Sequence, residues 1–298
     1  MDRRRALIVD AFTDEPLSGN PAGVVPDAEG LSTDQMRAIA REINASETVF
    51  LLPSETADRR ARYFTPTDEV ELCGHATIAS HALLAAEGAI DEGSHSLDTG
   101  AGTIDVGVED GTVWMGTADP EVREVDVGYE RVADALGVDV AALRDVGADL
   151  PLAKATTGLW YLIVPVNFLE HLGGMAPDMA AIEALSAELG LTGVYAFTFD
   201  TVSNATLHGR MFAPAAGVPE DPVTGTASGA VAAYVRRYGA LGGDIDEELL
   251  LEQGHFVDRA GHVRVQAEGE IRVGGSAVTA LDGELRVPEL PDDDIVEA

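Results

Sequence analysis

The chain of 298 residues contains one cysteine, Cys73, and one lysine, Lys154. A single cysteine excludes an internal disulfide and any CxxC motif, which agrees with a reducing, cytoplasmic compartment. No apolar run approaches the roughly 20 residues of a membrane-spanning helix. The apolar stretch that follows Arg5 is too short for the core of a signal peptide. The sequence therefore predicts a cytoplasmic protein that does not bind membranes.

Positive charge is also scarce, since 19 lysine and arginine residues stand against 52 aspartate and glutamate residues, for a net charge of −33. Without a positive stripe to meet a phosphate backbone, nucleic-acid binding is disfavoured. The acidic residues are spread along the whole chain, which is typical of a halophilic protein whose carboxylates hold water and ions in a salt-rich cytoplasm. An acidic surface that binds a protein partner is the alternative interpretation.

Several catalytic signatures are missing. The chain has no Walker loop, no catalytic serine elbow and no His/Cys/Asp cluster with metal-ligand spacing. His75 and His81 point to different sides of a helix, so they cannot bind one metal ion, and we interpret His81 as a packing or surface residue. The sequence therefore predicts neither a metal nor a cofactor.

What the sequence does contain is an internal repeat, with two copies about 150 residues apart. In each copy Phe-x-Pro precedes a valine, and Gly-x-Ala-[Thr/Ser] then opens an apolar helix. The first copy has Phe64-Thr65-Pro66, Val70 and Gly74-His75-Ala76-Thr77, and the second has Phe212-Ala213-Pro214, Val218 and Gly225-Thr226-Ala227-Ser228. A repeat of this size predicts two homologous halves, each with one central helix.

The length also favours two domains. We place the first half at residues 1–118, with its central helix near 75–88, and the second at 119–298, with its central helix near 225–238. A linker around Thr117–Pro120 marks the boundary. The last strand could return to the first half, which makes this boundary approximate. A tail that begins at Pro291–Asp294 is expected to be frayed.

Local signals place one acidic residue against a core. Ser32 and Gln35 form a capping box at the start of a helix that ends near Asn44. Glu47 follows at once and directly precedes the apolar strand 48–52. Glu47 is therefore predicted at a helix-to-strand junction, beside buried residues.

The two central helices begin with small residues, which leaves their first N–H groups reachable. Those groups have no partner inside the helix, so a buried helix start needs a side chain, a water or a bound anion as acceptor. We expect the two starts to face each other across a cleft and to bind a small carboxylate. The predicted anion-binding groups are the amides of Gly74, His75, Ala76, Gly225, Thr226 and Ala227.

Taken together, these motifs resemble the phenazine-biosynthesis-like (PhzF) isomerase family, which shares its fold with diaminopimelate epimerase and proline racemase. The matching segments are Asp10-Ala11-Phe12, Gly19-Asn20-Pro21-Ala22, Glu47, Cys73–Thr77, Trp160–Pro165, Glu220–Ala227 and Val273–Val278. The resemblance implies an α/β (α+β) fold of two pseudo-symmetric halves, each a curled mixed sheet around a central helix. It also implies a site between the halves, a homodimer and a biosynthetic, cofactor-free isomerisation of a cyclic dihydro-hydroxyanthranilate.

The resemblance also implies roles for individual residues. Glu47 corresponds to the family's proton-carrying glutamate, His75 to its histidine and Asp221 to its aspartate. Thr226 replaces the family's helix-start serine, which keeps the hydroxyl but adds a methyl group to the pocket. The Gly-Arg-Pro-Ser segment that usually follows Gln253-Gly254 is absent here.

The chemistry of the residues agrees with that assignment. Moving a proton between two carbons requires a base that becomes the acid for the return step, and one carboxylate such as Glu47 can fill both roles. Asp221 could hold a substrate amino or hydroxyl group and orient His75. Structural interpretations remain open: Glu47 as a loop cap or arginine partner, His75 as a helix-start residue satisfied by backbone, and Asp221 as part of an Asp-Pro turn.

Two other functions compete with a one-carboxylate isomerase. Related epimerases and racemases use two facing thiols, one before each helix-opening glycine. Cys73 occupies the first of these positions, but Thr224 occupies the second, and its hydroxyl is too weak an acid to replace a thiolate. The third interpretation is a non-catalytic protein that binds small acids in the same cleft.

Overall fold

The computed structural model describes residues 2–146, 150–242, 248–287 and 289. The predicted tail at Pro291–Asp294 lies outside the described residues. Within the described ranges, no helix is both long and apolar enough to cross a membrane.

The described residues form a series of strands and helices. From the N-terminus to residue 124 the elements are β1 (Arg3–Ala11), β2 (Asn20–Val25), α1 (Thr33–Ile43), β3 (Glu47–Leu52), β4 (Arg59–Phe64), β5 (Glu69–Val70), α2 (Gly74–Ala86), β6 (Gly93–Thr99), β7 (Gly102–Glu109), β8 (Thr112–Gly116) and β9 (Glu121–Glu124). They continue as α3 (Tyr129–Leu136), α4 (Val140–Arg144), β10 (Ala153–Thr156), β11 (Trp160–Pro165), α5 (Leu169–Gly173), α6 (Met179–Leu189), β12 (Gly193–Thr198) and β13 (Leu207–Ala213). The remaining elements are β14 (Val218–Asp221), α7 (Gly225–Tyr238), β15 (Glu248–Gln253), β16 (Gly261–Gln266), β17 (Arg272–Gly275) and β18 (Ala277–Arg286), with short 3-10 helices at Pro214–Ala216 and His255–Val257.

The chain divides into two compact units. Unit 1 comprises Met1–Leu17, Pro21–Val113 and Ser276–Ala298, and unit 2 comprises Ser18–Asn20 and Trp114–Gly275. The strand β18, near the end of the chain, pairs antiparallel with β1 at its start. This pairing explains why a C-terminal segment belongs to the unit that is otherwise N-terminal.

The same strand pairing occurs in both units. In unit 1, β2 and β3 are parallel, β3 and β4 antiparallel, β4 and β6 parallel, and β6 and β7 antiparallel. In unit 2 the series is repeated by β11 with β12, β12 with β13, β13 with β15, and β15 with β16. The helices α2 and α7 occupy equivalent places in the two series. The prediction of a mixed α/β fold built from two pseudo-symmetric halves is therefore confirmed.

Each unit encloses one apolar helix. Unit 1 packs β1, β3, β7 and β18 against α2, and unit 2 packs β9, β10, β11, β16 and β17 against α7. Every residue of α7 from Ala227 to Val235 is buried. His81 on α2 is buried as well, and its burial lowers the pKa of the imidazole to about 4. A helix that is apolar on all sides is stable only when surrounded in this way.

The helix α1 delivers Glu47 to its position. The predicted capping box is present, because Gln35 N donates to Ser32 Oγ at 3.2 Å and Ser32 N donates to Gln35 Oε1 at 2.9 Å. The helix ends at Ile43, and its C-cap residue Asn44 has a φ of 56°, in the left-handed region that asparagine tolerates. Glu47 then opens β3 opposite Ala22 of β2.

Unit 2 contains a buried polar cluster that the sequence did not reveal. His208 on β13 and Glu252 on β15 are fully buried neighbours in parallel register, with 2.8 Å between Nδ1 and Oε1. Glu252 also accepts hydrogen bonds from Val202 N at 2.5 Å, from Ser203 N at 2.9 Å and from the Ser203 hydroxyl. Burial alone would raise the pKa of Glu252, but these donors outweigh it and lower the pKa to about 2. The Glu252 carboxylate thus connects the loop that contains Val202 and Ser203 to strand β15.

Candidate functional site

Unit 1 brings Glu47 and His75 into contact. The Oε2 atom of Glu47 lies 3.5 Å from Nε2 of His75, and the Ser46 hydroxyl oxygen lies 3.4 Å from the same nitrogen. The Cys73 sulfur lies 3.4 Å from Nδ1 of His75 and 3.9 Å from Nε2. A carboxylate, an imidazole and a thiol therefore share one small region at the start of α2.

This group is partly accessible. The side chain of Glu47 is 23% exposed and that of His75 is 12% exposed, while the residues that follow Glu47 in β3, Thr48 to Phe50, are buried. A carboxylate held against a core and still reachable from one side can exchange a proton with a bound molecule. The position agrees with the junction that the sequence predicts.

The start of α2 lacks a side-chain cap. Cys73 occupies the N-cap position and makes no capping hydrogen bond, and the helical bonds begin with Thr77 N donating to Cys73 O at 3.0 Å. The amides of Gly74, His75 and Ala76 precede that first bond. These are the N–H groups at which a helix start binds an anion.

Unit 2 holds Asp221 in a network of buried amides. Asn20 Nδ2 donates to Asp221 Oδ1 at 2.9 Å and to Val223 O at 2.8 Å, and the Thr224 hydroxyl donates to the other carboxylate oxygen. Gln253 Nε2 donates to Asp221 O at 2.6 Å, and Gln253 Oε1 accepts from Thr224 N at 3.3 Å. Asn20 and Gln253 were missed as positioning residues, although Asn20 lies in a segment that carries the family resemblance.

The start of α7 is also left without a side-chain cap. Threonine is a good N-cap residue, but Thr224 makes no capping bond because its hydroxyl is turned to Asp221. In the first turn, the Thr226 hydroxyl lies 2.9 Å from the Tyr161 hydroxyl, and Thr226 O accepts from Thr157 Oγ1 at 3.0 Å. Thr226 is therefore held by two buried neighbours, Tyr161 on β11 and Thr157, which directly follows β10.

A second unpredicted feature is the loop after Gln253. Arg259 donates from Nε to Gly19 O at 2.9 Å and from Nη2 to Ser18 O at 2.8 Å. It thereby holds the residues directly before Asn20. The segment that departs from the family pattern thus supports the polar network around Asp221.

Gly254 makes this loop possible. Its φ is +87°, and a Cβ added there would lie 2.2 Å from Arg259 O and 2.8 Å from Pro222 O.

We expect Gly254→Ala to lower the free energy of unfolding by about 2–5 kcal/mol, from left-handed strain and from overpacking. Urea denaturation measures the change. Gly269→Ala is the matched control, because Gly269 has φ +72° with open space around it, so only about 1–2 kcal/mol of strain is expected. Equal losses in the two variants would refute the role of the close approach.

The predicted site residues thus form two sets. Glu47, His75, Gly74 and Ala76 lie together in unit 1, and Asp221, Gly225, Thr226 and Ala227 lie together in unit 2.

Sequence reasoning found no cluster with metal spacing, yet ligand atoms of Glu47, Cys73 and His75 all lie within 4.8 Å of one another. Glu47 is far from the other two in sequence, so spacing gave no signal.

Comparisons with known proteins identify the family of this chain. The family model described as phenazine biosynthesis-like protein matches residues 9–283. The chain belongs to the phenazine biosynthesis-like family. This is a family of isomerases, and the chain is accordingly an enzyme of that class.

Individual relatives of the phenazine biosynthesis-like family cover nearly the whole chain. An uncharacterized isomerase of Bacillus subtilis is 37% identical over 297 residues, covering 96% of this chain and 99% of its own. The trans-2,3-dihydro-3-hydroxyanthranilate isomerase of Pseudomonas chlororaphis is 31% identical over 287 residues, covering 92% of this chain and 96% of its own. The crystal structure of a PhzF-family phenazine biosynthesis protein of Bacillus anthracis has a TM-score of 0.88 at 34% identity and covers 96% of this chain and all of that one.

Proposed function

We propose that this enzyme isomerises a small, cyclic carboxylate without a cofactor, with Glu47 as the general acid and base. The observation that carries the proposal is the half-buried Glu47 carboxylate 3.5 Å from His75 at an uncapped helix start. The Pseudomonas chlororaphis relative, named for a cyclic hydroxyanthranilate, supports a ring substrate of this class.

In the proposed reaction Glu47 takes a proton from one carbon and returns it to another. The carbon–hydrogen bond breaks, its electron pair enters the conjugated system of the ring, and the same carboxyl group protonates the second carbon as the double bonds shift. Such acid–base catalysis needs the carboxyl group within hydrogen-bond reach of both carbons. His75, in contact with Glu47, would donate to the substrate or act as a second acid.

We assign binding of the substrate carboxylate to the amides at the helix starts. Gly74 and Ala76 precede the helical bonds of α2, and Gly225, Thr226 and Ala227 open α7 without a capping side chain. A helix start can stabilise an anion by up to about 2 kcal/mol in partly buried geometry. At about 1 M salt the Debye length falls to roughly 3 Å, so distant surface carboxylates oppose this binding little.

Asp221 is proposed to accept a hydrogen bond from a substrate amino or hydroxyl group.

We further propose that the enzyme works as a homodimer in the cytoplasm of a halophilic cell. The net charge of −33 supports a salt-rich medium, and the family resemblance supports the dimer. The molar mass in solution, measured by light scattering in high-salt buffer, tests the oligomeric state.

A substrate screen tests the proposed function. The wild-type enzyme is incubated in high-salt D₂O buffer with cyclic amino and hydroxy acids, including trans-2,3-dihydro-3-hydroxyanthranilate, and NMR follows deuterium uptake. We expect uptake at a ring carbon of at least one of these compounds. Binding without exchange for every compound would count against the proposed proton transfer on a ring carbon.

The epimerase alternative depends on Cys73, whose sulfur lies 3.4 Å from His75 Nδ1. A two-thiol mechanism would need a second acid at Thr224, and that hydroxyl is bound to Asp221. We therefore expect Cys73→Ser to change turnover only a few-fold, since a serine keeps the size of the residue and Glu47 carries the proton. Steady-state kinetics measure the change. A loss as large as that caused by removing a catalytic acid, about 10²-fold or more, would instead favour the thiol mechanism.

A further inference from the structure

The side chains at the start of α2 have a second chemical capacity. Glu47, Cys73 and His75 present one oxygen, one sulfur and one nitrogen, all within 4.8 Å of one another. Cys73 is buried, and Glu47 and His75 are partly exposed, so a small ion can reach the group from the side of the carboxylate and the imidazole. Neither the proton transfer nor the anion binding proposed above uses the sulfur.

The separations fit tetrahedral coordination. Zinc bonds of about 2.3 Å to sulfur and about 2.0–2.1 Å to nitrogen or oxygen place neighbouring ligand atoms roughly 3.3–3.6 Å apart. The Glu47 oxygen lies 3.5 Å from His75 Nε2, and the Cys73 sulfur lies 3.9 Å from that nitrogen. Two of the three distances between ligand atoms therefore match tetrahedral zinc coordination to within a few tenths of an ångström before any side chain moves.

The ligand types select the ion. A thiolate with an imidazole and a carboxylate suits zinc or a similar thiophilic cation, whereas magnesium and calcium prefer oxygen ligands alone. Three protein ligands leave the fourth tetrahedral position to water. We propose that Glu47, Cys73 and His75 bind one thiophilic divalent cation, best matched by zinc, and that its binding inhibits the isomerase. The inhibition, but not the binding, rests on the proposed function.

Binding and proton transfer exclude each other. The Cys73 thiol releases its proton to solvent as the metal–sulfur bond forms, and His75 binds as the neutral imidazole. The lone pair of the Glu47 oxygen is then engaged by the metal and cannot accept a proton from carbon. The enzyme should therefore lose activity in step with occupancy and regain it when a chelator removes the ion.

Cobalt(II) gives a test that does not depend on activity. The chain has 52 acidic residues that can bind divalent cations weakly, so the number of zinc ions bound is not informative. A thiolate-to-cobalt charge-transfer band in the near ultraviolet is informative, because Cys73 is the only cysteine. We expect the wild-type protein to show this band with cobalt(II) and to lose it when zinc is added in competition.

Three variants make the test specific. Cys73→Ser should abolish the band, and Glu47→Gln should weaken cobalt binding by more than about 100-fold, since loss of a group that only orients a ligand already costs about 10- to 100-fold. His95→Gln is the matched histidine control, because His95 is on β6, outside the proposed site, and its Nε2 lies 2.8 Å from the backbone oxygen of Asp91. It should bind like the wild type. Far-ultraviolet circular dichroism checks that each variant is folded.

The outcomes separate the two proposals. No charge-transfer band in the wild type, or an unchanged band in Glu47→Gln, would overturn the metal site whatever the enzyme catalyses. A band with the expected variant pattern in a protein that isomerises none of the screened acids would support the metal site and count against the proposed function. An active enzyme that binds zinc at this site with unchanged turnover would refute the inhibition.

Discussion

Glu47→Gln is expected to lower turnover by about 10²- to 10⁴-fold, the contribution typical of one positioned acid or base. Glutamine keeps the size of the side chain and its contact with His75, but an amide cannot take and return a proton. Substrate affinity should change little, because the proposed anion-binding groups are backbone amides. Steady-state kinetics and calorimetric titration measure the two quantities on a substrate from the screen.

The matched control for this variant is Glu42→Gln. Glu42 is an exposed residue of α1, five positions before Glu47, so its replacement removes the same charge from the same part of the chain. We expect wild-type kinetics from it. If Glu47→Gln retained more than about a tenth of the turnover, another group would carry the proton.

Glu252→Gln is expected to lower the free energy of unfolding by about 3–5 kcal/mol at neutral pH, because several buried donors lose their charged acceptor and each unsatisfied buried group costs about 1–3 kcal/mol. Glu252 accepts from four donors: His208 Nδ1, Val202 N, Ser203 N and the Ser203 hydroxyl. An amide NH₂ group in the same place would face donors and would have no acceptor. Urea denaturation measures the loss, and Glu248→Gln on the same strand is the control. Its pair with Arg264 is exposed, so about 0–1 kcal/mol is expected there.

The pH dependence of this difference has a definite sign. The pKa of Glu252 is lowered in the folded protein from 4.5 to about 2, so its stabilisation is fully present above pH 4.5 and disappears as the pH falls toward 2. The advantage of the wild type over Glu252→Gln should therefore shrink within that window. A difference that stays constant down to pH 2 would show that the carboxylate charge is not its source.

Features encoded by neighbouring residues could be predicted from the sequence. The capping box of Ser32 and Gln35 is confirmed, since it depends only on residues three apart. The central helices α2 and α7 are confirmed because their apolar runs and small first residues repeat in both halves. The repeat also predicted two homologous halves, which the matching series of strand pairings bears out.

Features that depend on distant residues could not be predicted. Asn20 reaches Asp221 across 201 positions, and His208 reaches Glu252 across 44. These contacts form only when strands pair and loops bring distant residues together, so no local sequence pattern predicts them. The proximity of Cys73 to Glu47 was missed for the same reason, because rules for metal sites look for ligands at short spacing.

The roles of the site residues remain predictions that the family resemblance motivates. The motifs around Glu47, His75 and Asp221 identified positions, and the structure supplies their neighbours. Thr224 illustrates the difference. The sequence placed it where related epimerases have their second thiol, and the structure adds that its hydroxyl is bound to Asp221.

The most direct test of the account is the exchange of hydrogen between solvent and substrate. Wild-type enzyme, Glu42→Gln and Glu47→Gln are each incubated with the substrate in D₂O, and NMR follows deuterium at the reacting carbons. The account predicts uptake with the first two proteins and uptake at least about 10²-fold slower with Glu47→Gln, even though that variant still binds the substrate. Deuterium uptake catalysed by Glu47→Gln at the wild-type rate would contradict it.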